Sequence, residues 1–194
     1  MTVILKLRIL SYWRAGTGRN RPGALDALCQ RDHDGLPMIP GKHLKGLLRD
    51  AVRWAHGVGW TPSLDETTLF GGLDAQADDG LNGTRGGCIR VDSALLPDAE
   101  RAVLRENPDL IALLFDTRRS TAIGPNGTAE PGSLRFEEVA VPMTLEARLC
   151  AVGAVPDGWE SELEKALTLV RAVGAQRTRG LGRCILTLEK RGAA

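Results

Sequence analysis

Closely spaced cysteines are missing from this chain. Its four cysteines, Cys29, Cys88, Cys150 and Cys184, are scattered, and its three histidines, His33, His43 and His56, follow no zinc spacing. That excludes a zinc-knuckle or dense disulfide reading. We expect reduced, mostly buried thiols, no resident metal site and no tightly bound cofactor. Long apolar runs are also missing, so no membrane span or membrane partner is expected. Charges lie within the apolar alternation of Met1-Thr-Val-Ile-Leu-Lys-Leu-Arg8, which does not read as a secretory leader. The expectation is a soluble, cytoplasmic protein. Aromatics make up only 4% of the chain, which argues against aromatic base-stacking as the main device of any nucleic-acid contact. Net charge is +1, so no global basic field is available.

What is present is uneven. Only five of the 25 cationic side chains are lysine. Arginine suits bidentate phosphate recognition, although a GC-rich genome gives the same bias. Arginines gather with glycines in Gly174-Ala-Gln-Arg-Thr-Arg-Gly-Leu-Gly-Arg183. Such a run suits a polyanion lying against backbone, and it equally suits a solvated turn.

Hydrophobic periodicity orders the chain. Val3, Leu5, Leu7 and Ile9 alternate as a first strand, followed by a polar loop from Arg14 to Gly35. Pro40-Gly41 opens a helix to about His56. Leu44, Leu47, Leu48, Ala51 and Ala55 share one side of it, with Lys42, Lys45, Arg49 and Arg53 opposite. Residues 60–87 read as loop, and Cys88-Ile-Arg-Val91 as a short strand. Asp98–Leu114 reads as a helix broken at Pro108. Two strands flank the turn Gly124-Pro-Asn-Gly127 between Arg118 and Val141, and a further strand runs Thr144–Val152. A second amphipathic helix is expected over Trp159–Val173, capped by Gly174, with Arg183–Leu188 as the last strand. The order is that of an α+β, ferredoxin-like (RRM-like) βαββαβ fold with insertions, over one domain, residues 1–194.

Three segments stand out in this order. The first, Gly23 to Arg49, holds Asp26, Asp32 and Asp34 and ends Leu36-Pro-Met-Ile39-Pro-Gly-Lys-His-Leu-Lys-Gly46-Leu-Leu-Arg49. The second is Arg118-Arg-Ser-Thr-Ala-Ile-Gly-Pro-Asn-Gly-Thr-Ala129 with Gly132-Ser-Leu-Arg-Phe-Glu-Glu138. The third is the glycine/arginine run. Together they resemble the RAMP superfamily of CRISPR-associated proteins, and in particular the backbone subunit of type III effector complexes. Leu69-Phe70-Gly71 is similar to a further family signature.

The resemblance implies a subunit that stacks along CRISPR guide RNA and holds its backbone. It also implies a β-hairpin thumb that displaces bases, and partners comprising target single-stranded RNA, other effector subunits and copies of itself. By the resemblance, Asp26 takes the place of a loop aspartate that cleaves target RNA as a metal-dependent endoribonuclease, with magnesium or manganese required. Thr121–Leu134 takes the place of the thumb, and Gly180-Leu-Gly182 that of the C-terminal glycine-rich loop. Candidate RNA contacts are Gly41, Lys42, His43, Lys45, Arg49, Arg118, Arg119, Arg177, Arg179, Gly180, Gly182 and Arg183. A helix start after Pro-Gly would offer free N–H groups to phosphate. Two departures stand against the pattern. Lys42-His43 replaces a serine pair, and Gly124 replaces an aspartate. The alternatives are a non-cutting architectural RAMP subunit, or a guide-processing RAMP endoribonuclease working through His43 or His56.

Overall fold

The computed structural model describes residues 2–73 and 83–190. Its elements in chain order are β1 (Thr2–Ile9), α1 (Gly41–Gly57), α2 (Glu66–Phe70), β2 (Gly72–Leu73), β3 (Thr84–Arg85), β4 (Ile89–Val91), α3 (Asp98–Glu106), β5 (Phe115–Ser120), β6 (Arg135–Ala140), β7 (Thr144–Ala151), α4 (Trp159–Leu167) and β8 (Cys184–Lys190). Four strands form one antiparallel sheet in the order β4-β7-β1-β8. The first and third core strands are central and the second and fourth are edges, which is the ferredoxin-like α+β arrangement.

The alternation in β1 decides which face is covered. Val3, Leu5, Leu7 and Ile9 are buried, and Leu145, Ala147 and Leu149 of β7 join them. Onto this face pack α1, through Leu44, Leu47, Leu48, Ala51, Val52 and Ala55, and α4, through Trp159, Leu163, Ala166 and Leu167. Each leucine or valine among them contributes about 1.5–3 kcal/mol when fully buried.

Three local expectations need correction. The stretch 60–87 is not all loop: Asp65 caps α2, accepting the N–H groups of Thr67 (2.8 Å) and Thr68 (2.9 Å). An Asp at that position was a readable start signal. Residues 74–82 of that stretch lie outside the described residues. The helix predicted to Val173 ends at Leu167. There Thr168 turns its hydroxyl onto the Lys165 carbonyl (2.7 Å), and i→i+3 bonds tighten the chain away. Gly174 is therefore no helix cap. It adopts φ +83° where a side chain would strike the Arg14 carbonyl. The predicted break at Pro108 is present: α3 ends at Glu106 and a 3₁₀ turn follows over Pro108–Leu114.

Outside the main sheet, β5 and β6 form their own antiparallel hairpin. The polar loop after β1 runs along β6. Trp13 bridges Ala140, and Ala27 bridges Glu137. At the hairpin tip the Ser133 hydroxyl bonds Thr121 Oγ1 (2.6 Å) and the Glu130 carbonyl (2.7 Å), leaving Ile123 and Leu134 exposed.

Candidate nucleic-acid interface

The start of α1 is shaped by packing. A side chain at Gly41 would collide with the Val91 carbonyl of β4, so glycine lets the helix approach the sheet. Its N–H donates to Ser93 Oγ (3.1 Å), while His43 and Leu44 donate to the Pro40 carbonyl. Less free backbone is offered to phosphate than the sequence implied. The four cations of the polar face also divide. Arg49 is half-buried and donates to the Gly71 carbonyl, at the end of the Leu69-Phe70-Gly71 signature. Arg53 pairs with Glu66 (2.9 Å) and Asp50 (3.6 Å). Lys42 and Lys45, at the N-terminal end, enter no described ion pair.

The glycine-rich loop lies beside them. His43 is half-buried, and its pKa is lowered by burial and then by the Arg177 charge. The first helix and the C-terminal loop therefore share one patch. Among the described residues Gln176 is the one non-glycine with positive φ, at 54°. Arg177, Arg179 and Arg183 follow it, exposed and in no described ion pair. Gly182 (φ +69°) has no room for a side chain against the Val173 carbonyl, whereas Gly180 (φ +84°) faces open space. The Ser11 hydroxyl pins the loop by donating to the Gly180 carbonyl (3.1 Å) and accepting the Arg183 N–H (3.0 Å).

Two side chains that sequence reasoning passed over tie the hairpin down, Glu137 to the glycine-rich loop and Glu138 to the polar loop after β1. Glu137 of β6 accepts both Gln176 Nε2 (2.9 and 2.8 Å) and Arg14 Nη2 (3.4 Å). Glu138, buried, accepts the Cys29 N–H (2.9 Å) and pairs with Arg31 (2.9 Å). Adjacent glutamates in an exposed-looking strand carried no signal of either clamp. Arg118 and Arg119 are exposed on β5, and Arg119 stands 5.6 Å over the Phe136 ring.

Asp26 is exposed where the polar loop meets β6. Its N–H donates to the Phe136 carbonyl (2.7 Å), and its Oδ2 accepts the Phe136 N–H (2.8 Å). It stands apart from Asp32, His33 and Asp34, whose ligand atoms lie within 4.8 Å of one another. That cluster is committed elsewhere. Asp32 caps a turn and, with Asp34, meets Arg101 (3.3 and 2.9 Å), while Arg105 reaches Asp34 (2.8 Å). All four cysteines are free. Cys29 and Cys184 are buried, and Cys88 and Cys150 are half-buried.

The RAMP superfamily profile matches residues 6–185. The chain belongs to the RAMP superfamily. No match was found among curated protein sequences. Among solved structures it is similar to a chain of "Type III-B Cmr-beta" in the apo state, with 13% identity, 98% of each chain covered and a TM-score of 0.64. A chain of "Type III-B Cmr-beta bound to cognate target RNA" shows 11% identity, 97% of each chain and a TM-score of 0.68. A chain of a "Type IV-B CRISPR Complex" shows 15% identity, with 100% of this RAMP protein and 94% of that chain covered, and a TM-score of 0.64. At these identities the likeness speaks for a shared fold. Among the described residues, no helix of this RAMP protein is long and apolar enough to cross a membrane.

Proposed function

We propose that this RAMP protein is an RNA-binding backbone subunit of a type III-like CRISPR effector complex, holding guide RNA by its phosphates. One observation carries the reading. Lys42 and Lys45 of α1 and Arg177, Arg179 and Arg183 of the glycine-rich loop enter no described ion pair, and Arg177 stands at α1, lining a groove with Leu47 and Asp50 and acting on His43. Such a patch reads charge and leaves sequence unread. Family membership and likeness to chains from CRISPR complexes support it. Further copies and other effector subunits would then line up along the same RNA.

The test is anisotropy of labelled single-stranded RNAs of unrelated sequence. About five phosphate contacts on a single strand give roughly a hundredfold loss of affinity between 50 and 200 mM salt, alike for all sequences. A flat salt response overturns the reading.

Within it, Asp26 is the candidate for cutting a paired target. A single exposed carboxylate fits a magnesium or manganese ion held mainly by substrate phosphate and water. Such an ion, when bound, supplies charge neutralisation at the scissile phosphate. Asp26 would help hold it or orient the attacking 2′-hydroxyl. A second, non-cutting reading is favoured by one observation: Oδ2 of Asp26 is already the acceptor for Phe136. Assembled complex with paired target and magnesium separates the two.

A further inference from the structure

Eight aromatic residues serve the whole chain, four of them tryptophan. Trp13 and Trp159 are buried, at 1% and 3% exposure, while Trp54 and Trp60 are 70% and 52% exposed. The two exposed rings line the same groove, of about 710 Å³, between the C-terminal half of α1 and the segment that follows α4. Ala51 and Trp54 on one stripe of α1, with Val58 just past its end, form its apolar wall. The turn after α1 places the second residue: Trp60 donates its backbone N–H to the Ala55 carbonyl (2.8 Å), and the His56 ring bonds the Thr61 carbonyl (3.0 Å). Across the groove stand Arg171 and Arg177, both exposed and in no described ion pair. The carboxylate on the rim, Asp50, faces Arg53 at 3.6 Å.

We propose that this groove is a stacking site for single-stranded RNA. Bases lie on Trp54 and Trp60, and the connecting phosphates pair with Arg171 and Arg177. The volume suits about one or two nucleotides. Apolar rings alone would suit a protein partner as well, but two flanking guanidiniums without acidic partners select an anionic strand with flat apolar faces. Arg177 belongs both to this groove and to the glycine-rich loop, so the strand held by its backbone on that loop continues onto the rings. This deepens the RNA-binding reading and rests on it. It also reverses the expectation, drawn from the low aromatic content, that base stacking plays little part.

The experiment titrates full-length wild type, W54A/W60A and W54F/W60F with a labelled uridine 15-mer and with an abasic 15-mer of the same backbone. Both rings are exposed, so the melts of the three proteins should coincide. The expected result is a loss of about tenfold or more for W54A/W60A on the uridine strand. Phenylalanine should restore most of it, and all three proteins should bind the abasic strand alike. Unchanged uridine affinity in W54A/W60A overturns the stacking site while leaving backbone binding intact. If that variant keeps its RNA affinity but sediments differently, the groove is a contact between copies and the proposal fails. If wild type binds neither strand, the RNA-binding function falls with it.

Discussion

Asp26 and Phe136 exchange two hydrogen bonds, backbone N–H to carbonyl at 2.7 Å and backbone N–H to Oδ2 at 2.8 Å. The residue we propose as the cutting carboxylate is thus also a stitch between the polar loop and the root of the hairpin. Asp26→Asn keeps a side-chain acceptor for Phe136, whereas Asp26→Ala removes it. If Asp26 works on the target, both variants should lower magnesium-dependent cleavage by at least about a hundredfold with binding unchanged. If the stitch is its whole role, Asp26→Asn should cut normally. Asp32→Ala is no fair control, since Asp32 caps a turn and meets Arg101. Exposed Asp157 serves better.

Lys45 and Arg49 should behave differently although they share a helix face. Lys45→Ala should weaken RNA binding several-fold and leave the melt unchanged. Arg49→Ala should lower stability by about 1–3 kcal/mol, because the Gly71 carbonyl loses a charged donor. Chemical denaturation and anisotropy on the same samples check both. Equal stability in the two variants would contradict the structural role of Arg49 at the Gly71 carbonyl.

His43 reports on the patch. Burial first, and Arg177 second, lower its pKa from 6.5. The unfolded chain therefore takes up this proton at higher pH than the native protein. The stability tied to neutral His43 is complete above about 6.5 and fades as pH falls through the lower native value. An NMR titration should show His43 below 6.5. Arg177→Ala should move it upward without full return, because burial is the larger cause. Bound RNA should raise it, since phosphate favours the charged ring. No rise on RNA binding would place the strand elsewhere.

The thiols test the packing. Burial, with the Glu138 charge adding at Cys29, pushes Cys29 up to about 12, and burial alone does the same at Cys184. With Ellman's reagent at pH 8, Cys88 and Cys150 should react first, and Cys29 and Cys184 only as the protein unfolds. Four fast thiols would contradict the core described here.

Much of this architecture was legible in residue order. Alternation in β1 and the stripe on α1 each state a period, and a buried face follows directly from a period. The end of α4 was not legible, because the apolar spacing continues past Thr168 while a local hydroxyl bond turns the backbone. The basic face of α1 was half legible. Spacing showed that Arg49 and Arg53 point away from the stripe, but not that Gly71 and Glu66 would arrive to meet them. The clamp on Glu137 was invisible, since Arg14 and Gln176 reach it from opposite ends of the chain. Trp54 and Trp60 were in plain sight as residues, but their shared groove exists only once α1 and the segment after α4 are packed.

The sheet order also sets a timetable for synthesis. β1 is made before the other strands, yet both of its neighbours, β7 and β8, come from Thr144 onward. Until then neither edge of β1 has a strand to pair with, and the central seam must close over nearly the whole length of the chain. Such non-local pairing is slow and leaves a nascent edge exposed. The protein's yield in a cell should therefore depend on what shelters that first strand while the last one is still being made.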